Sequence, residues 1–154
     1  MLTGSLFKST RTGSDEVDYH AIFSGGYSFN LLGSKEFSWG MNRDQSITIG
    51  GKLTFAGGKR YTPIDEEASE IAGEAVYQDQ QRNSMQYSPY FRADLKLNYR
   101  VNGAKTTHEL GLDLVNVSDR ENVFKQTYVP GAEPPVRDVY QLGFLPLFYY
   151  KIDF

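Results

Sequence analysis

The chain of 154 residues contains no cysteine, which excludes disulfides, Cys-x-x-Cys redox chemistry and thiolate metal sites. It has no apolar run of 18 residues or more and no basic segment leading into an apolar core near its start, so neither a spanning helix nor a signal peptide is written in it. Neither sign of charge dominates: 16 Lys and Arg stand against 19 Asp and Glu, a net charge of -3, and no electrostatic footprint for nucleic acid is present. Catalytic patterns are lacking too. His20 and His108 are far apart with no zinc-ligand spacing, and "GGK" at 50–52 and 57–59 is not a phosphate loop. There is no Gly-x-Ser-x-Gly elbow, and Glu109 and Asp113 suit a polar strand face better than a glycosidase pair. Asn116-Val117-Ser118 matches a glycosylation sequon, a triplet common by chance. No enzyme, cofactor or metal is expected.

What the chain does have is 11 Tyr, 10 Phe, one Trp and 15 Gly, a composition suited to pleated strands and tight turns. In residues 90–101, Phe91, Ala93, Leu95, Leu97, Tyr99 and Val101 alternate with Arg92, Asp94, Lys96, Asn98 and Arg100. A period of two puts each set on its own face of a strand, whereas a helix would scatter both. The same alternation runs through 45–55 (Ile47, Ile49, Leu53, Phe55) and 105–116 (Leu110, Leu112, Leu114). It also runs from Tyr19 through Ala21, Phe23, Tyr27, Phe29 and Leu31 to Phe37 and Trp39, and from Tyr140 through Phe144, Pro146, Phe148, Tyr150 and Ile152 to Phe154. With a weakly patterned strand near 2–9, six strands are expected, Pro146 marking an edge or bulge.

Short and long connections alternate. Met41–Asp44 and Asn102-Gly103 read as tight turns, while residues 10–17, 57–89 and 118–138 are longer. The expected fold is all-β: an antiparallel, up-and-down transmembrane β-barrel segment of about six strands, one unit over 1–154, with its long loops on one rim. The alternative is a soluble β-sandwich or lipocalin-like binding module with the apolar face inside. Aromatic residues at strand ends favour lipid: Phe37, Trp39, Tyr99 and Phe154 toward the short-turn rim, and Tyr19, Phe55, Tyr90, Phe91 and Tyr140 toward the long-loop rim. Lys35 and His108 interrupt the apolar parity within a few residues of the short turns, where a lipid-facing charge is cheap. Six strands are too few to close a barrel, which takes about eight, so the barrel is expected to be incomplete and its edges to meet further strands.

The stretches "GSLFKST", "YSFNLLGSKEFSWG", "SITIGGKLTFAGGKRYTPID", "YFRADLKLNYRVN", "HELGLDLVNVSDRENVF" and "QLGFLPLFYYKIDF", in that order over nearly the whole chain, resemble the C-terminal barrel portion of a TonB-dependent outer-membrane receptor, particularly the large transporters of Bacteroidetes-like bacteria. The resemblance implies a barrel of about 22 strands filled by an N-terminal plug, importing siderophores, vitamins or glycans with energy supplied through TonB. It implies as partners outer-membrane lipid, N-terminal strands and a plug not present in this sequence, and TonB only through that plug. It further implies that the alternate apolar residues Phe148, Tyr150, Ile152 and Phe154 form a signal read by the barrel-assembly machinery. These four also suit the lipid face of a last strand.

Segment 57–89 combines charge with tyrosine, and Arg60, Tyr61, Asp65, Tyr77 and Tyr87 are its candidate ligand contacts. A merely solvated loop has the same composition. "EEASEIAGEAVY" within it has the makings of a short helix. On the polar parity of the last strand, Leu145, Leu147 and Tyr149 are unlike a water-filled lumen wall and are expected to pack against something inside.

Overall fold

The alternating stretches become the strands of one sheet in the computed structural model, which describes residues 1–13 and 16–154. The six strands are β1 (Leu2–Leu6), β2 (Tyr27–Trp39), β3 (Gln45–Ala56), β4 (Tyr90–Asn102), β5 (Thr107–Val115) and β6 (Leu145–Asp153). They lie side by side in chain order, each antiparallel to the next. β1 and β6 are the two edges and do not pair with each other, so the sheet is an open sector, not a closed barrel. Pro146 sits in the edge strand β6 opposite Leu114, where a residue without an N–H is tolerated.

Register matters more than strand count. Leu31, Leu53 and Ala93 form one cross-strand row, Phe29, Phe55 and Phe91 another, and Phe37, Ile47, Tyr99, Leu110 and Tyr150 a third. Because a slip of one residue would reverse a strand's faces, this pairing collects the apolar parity of every strand on one side. The opposite side carries Lys52 beside Asp94, Lys96 beside Asp113, and Arg100 beside Glu109. No second sheet covers the apolar side among the described residues. Ile64, a loop residue, is the one buried hydrophobic residue among them.

The connections also sort by rim. Tight turns close β2–β3 and β4–β5: Asn42 and Arg43 take positive φ values of 64° and 57°, and Gly103 donates its N–H to Thr106 O at 2.7 Å. All three long connections leave from the other rim. They hold short ladders, Thr10–Thr12 with Asp18–His20, Arg60–Tyr61 with Met85–Gln86, and Val123–Tyr128 with Val136–Tyr140, and the helix α1 (Glu66–Ala72). Within the predicted connection 10–17, Ser14 and Asp15 lie outside the described residues.

Two expectations about strand extent and one about a strand face need correction. Tyr19, Ala21 and Phe23 do not extend β2, because the chain turns away before Tyr27 and Tyr19 joins a rim ladder. Tyr140, Leu142 and Phe144 do not extend β6, since Tyr140 closes the 123–140 hairpin. Tyr90 pairs with Ala56 on the polar side, so it is not part of an apolar-face girdle. Alternation describes faces within a strand and carries no information about where the chain leaves the sheet.

Candidate functional site

The rim loops are tied together by backbone contacts that only glycine permits. A side chain on Gly57 would meet the carbonyl of Gly25, and one on Gly58 would meet that of Tyr87. Gln86 Nε2 donates to Gly58 O at 3.0 Å and to Gly25 O at 3.3 Å. Lys59 then sits between two rings, 5.5 Å from the centre of Phe23 and 5.4 Å from that of Phe124, joining all three long connections by cation–π contacts. The 116–144 connection is anchored by amides and a carboxylate: Asn122 Nδ2 donates to Phe91 O at 2.8 Å while its Oδ1 accepts from Phe91 N at 3.0 Å, and Asp119 Oδ1 accepts from Phe144 N at 2.8 Å. Asn116, buried at positive φ, donates to Arg120 O at 3.1 Å and accepts from Ser118 Oγ. Its residue pair with Ser118 is thus a turn device.

These anchors shape a cleft of about 400 Å³ lined by Arg60, Tyr61, Tyr77 and Tyr87 from the 57–89 segment, by Arg82 and Asn83 further along it, and by Phe124 and Lys125 from the facing hairpin. A second hollow, of about 730 Å³, adjoins it and shares Ile22, Thr62, Arg82 and Asn83. Tyr61 and Tyr87 stack with ring centres 4.1 Å apart and planes 11° from parallel. The Tyr87 hydroxyl accepts from Gln126 N at 3.0 Å. Burial pushes the Tyr87 phenol above its ordinary pKa, and the neighbouring Tyr61, Asp138 and Tyr77 push the same way against the opposing Gln126 hydrogen bond. Arg60 Nη1 donates to Ser84 O at 3.1 Å, but its buried Nε has no hydrogen-bond partner among the described residues.

Four of the five candidate contacts therefore meet in one place. Asp65 does not. It caps α1, its Oδ1 accepting from Ala68 N at 3.0 Å, a local role set by the Asp-x-x-Ala start of the helix. Arg82, Asn83 and Lys125 were not legible as contacts, since nothing local marks a residue as facing a hairpin some 40 positions away. Phe148, Tyr150 and Ile152 share the apolar side of β6, opposite Leu112, Leu110 and His108, and Phe154 follows the last paired residue. Tyr150 OH lies 2.7 Å from His108 Nδ1.

The polar side of the sheet holds a separate network. Tyr149 OH lies 3.1 Å from both Asn98 Oδ1 and Glu109 Oε1, Asn98 Nδ2 donates to Glu109 Oε1 at 2.9 Å, and Arg100 Nη2 pairs with Glu109 Oε2 at 2.9 Å. Lys96 Nζ stands 5.3 Å from the centre of the Tyr149 ring. Tyr149 thus already has partners within the sheet, while Leu147 remains 46% exposed.

No family model, curated protein or solved structure matches this chain.

Proposed function

We propose that the six strands form part of the wall of an outer-membrane β-barrel, and that this barrel is a TonB-dependent transporter or receptor importing siderophores, vitamins or glycans. The observation that carries the membrane reading is the aligned apolar face left uncovered. Leu95, Leu110 and Phe148 on it are 48%, 55% and 78% exposed, whereas the other face is occupied by hydrogen-bonded and paired charges. A soluble sandwich or lipocalin-like module would bury that face. A patch of this extent is stable against hydrocarbon and a liability against water.

Dimensions and girdles support the same reading. The five longer strands have 9–13 residues. At about 3.3 Å per residue and a tilt of about 40°, they rise roughly 23–33 Å, against an apolar band about 25 Å tall. Trp39 and Tyr99 stack at 6.2 Å near the short turns and share the acceptor Gln45 Oε1. Tyr27, Phe29 and Phe55 cluster near the long-loop rim at 5.3–5.9 Å. Lys35 is level with Ile49 and Leu97, deeper than the turns, yet its Nζ lies 6.0 Å from the ring of Phe37, on the short-turn side, as a snorkelling lysine does.

The transporter assignment adds to this the ordered family resemblance and the confinement of all long loops to one rim. Its partners are lipid on the apolar face, further barrel strands at β1 and β6, a plug on the polar face through which TonB acts, and the assembly machinery at Phe148, Tyr150, Ile152 and Phe154. Because the chain has no cysteine, single-cysteine variants test the faces directly. In lipid vesicles, a polarity-sensitive label at Leu95 or Leu112 reports hydrocarbon and one at Asn98 reports water. Equal wetting of all three, or a cooperative monomer without lipid or detergent, sinks the membrane reading.

A further inference from the structure

We infer that the rim cleft takes a small oxyanion-bearing ligand with a flat ring, its carboxylate or phosphate groups held by Arg60, Arg82 and Lys125 and its ring laid against the cleft tyrosines. The inference deepens the proposed function, resting on it only for the view that this rim faces the ligand. Its basis is a local reversal of charge. The chain as a whole carries a net charge of -3, and segment 57–89 has six carboxylates, at 65, 66, 67, 70, 74 and 79. Of these, Asp79 alone lines the cleft, whereas all three cations of the segment, Lys59, Arg60 and Arg82, do so, joined by Lys125. Glu66, Glu67 and Glu70 are carried away on α1.

None of the four cations forms an ion pair among the described residues. Lys59 is engaged by two rings and Arg82 stands 5.9 Å from the ring of Tyr19. Among the described residues Arg60 and Lys125 have no such ring, and the buried Nε of Arg60 is a donor without an acceptor. A buried donor left unmatched is costly, and an oxyanion is the group that a guanidinium fork fits. Concave walls with an excess of positive charge concentrate anions. The stacked Tyr61–Tyr87 pair and the half-exposed Tyr77 offer flat apolar surface beside those charges, and the cleft volume suits a small molecule.

The test uses the whole chain refolded in detergent micelles and two flat fluorescent probes, the trianionic dye pyranine and the cationic dye proflavine, followed by anisotropy. Pyranine binds saturably and weakens as salt rises, while proflavine does not bind. Citrate and inorganic phosphate, added separately as competitors, distinguish carboxylate from phosphate recognition by which one displaces the dye. Arg60→Gln with Lys125→Gln weakens pyranine about tenfold or more. If loss of the Arg60–Ser84 contact disturbs the loop, seen as a changed tyrosine fluorescence, Arg82→Glu with Lys125→Glu, both at exposed positions, abolishes pyranine binding and admits proflavine. Failure of pyranine to saturate, equal binding of the two dyes, or unchanged binding by the charge-reversed chain overturns the inference. The cysteine labels on the sheet report independently: hydrocarbon at Leu95 without dye binding removes the anion site alone, and dye binding with a wetted Leu95 removes the barrel alone.

Discussion

The ring of Tyr149 lies across Gly111, its partner on the neighbouring strand, so closely that a β-carbon at 111 would clash with its phenol edge, at Cε1, Cζ and the hydroxyl oxygen. The glycine leaves a gap in the polar face of β5, and the tyrosine of the edge strand fills it, an aromatic cover over an otherwise bare stretch of backbone. From there the phenol reaches Glu109 on the neighbouring strand and Asn98 one strand further in, so the edge strand is held by more than its ladder.

Gly111→Ala lifts that ring and destabilises the sheet by about 1–3 kcal/mol, the usual cost of overpacking. Tyr149→Phe keeps the cover and loses the hydroxyl, at about 0.5–1.5 kcal/mol. Urea unfolding in micelles measures both. An alanine at 111 that leaves the midpoint unchanged would show that Tyr149 does not pack there.

Arg100→Ala has a smaller effect. Its side chain is half exposed, so the ion pair with Glu109 contributes no more than about 1 kcal/mol. The same unfolding midpoint, read at low and high salt, should show a deficit that shrinks with salt; a deficit above that of Gly111→Ala contradicts the ranking.

Asn122→Ala removes both arms of the amide that grips Phe91. The part-buried N–H and C=O of Phe91 lose their partner, at about 1–3 kcal/mol. Since the contact joins the rim hairpin to β4, proteolysis within 123–140 rises while the strand signal in circular dichroism holds. Unchanged proteolysis counts against an anchoring role.

Docking of the 57–89 segment depends on neutral Tyr87. Its raised pKa means that the folded state favours the protonated phenol, so stability from this contact is complete below the ordinary tyrosine pKa, about 10, and is lost as pH rises through the folded value. A pH series of proteolysis at 57–89 should show protection up to about pH 10 and loss above it. In Tyr87→Phe the loss attributable to this group disappears; an identical alkaline profile in that variant rejects the account.

Lys35→Leu tests the proposed membrane reading. On that reading Lys35 stands between interface and midplane, and removing the charge stabilises the sheet in vesicles by about 1–2 kcal/mol. A destabilised variant would place Lys35 against water.

The faces of the strands were legible because alternation is local: the parity of Phe91 to Val101 needs no knowledge of any neighbour. The tight turns, the short helix and the gathering of tyrosines at one rim were legible from residues close in sequence. Strand ends were not, since Tyr19 and Tyr140 keep the parity of β2 and β6 after the chain has left the sheet. The cleft was half legible. Arg60, Tyr61, Tyr77 and Tyr87 come from one charged, tyrosine-rich segment, but Lys125 reaches them only through a hairpin whose position depends on the Asn122–Phe91 contact.

The amino-acid sequence by itself determined an all-β chain with one apolar and one polar face per strand, because a period of two follows from backbone geometry alone. Only the tertiary structure decided that those faces align across all six strands, that Tyr149 is anchored over Gly111, and that cations line the rim cleft while most of the loop's carboxylates point elsewhere. Register, ring packing and the sorting of charge depend on residues distant in the chain, and pairwise placement in space is what joins them.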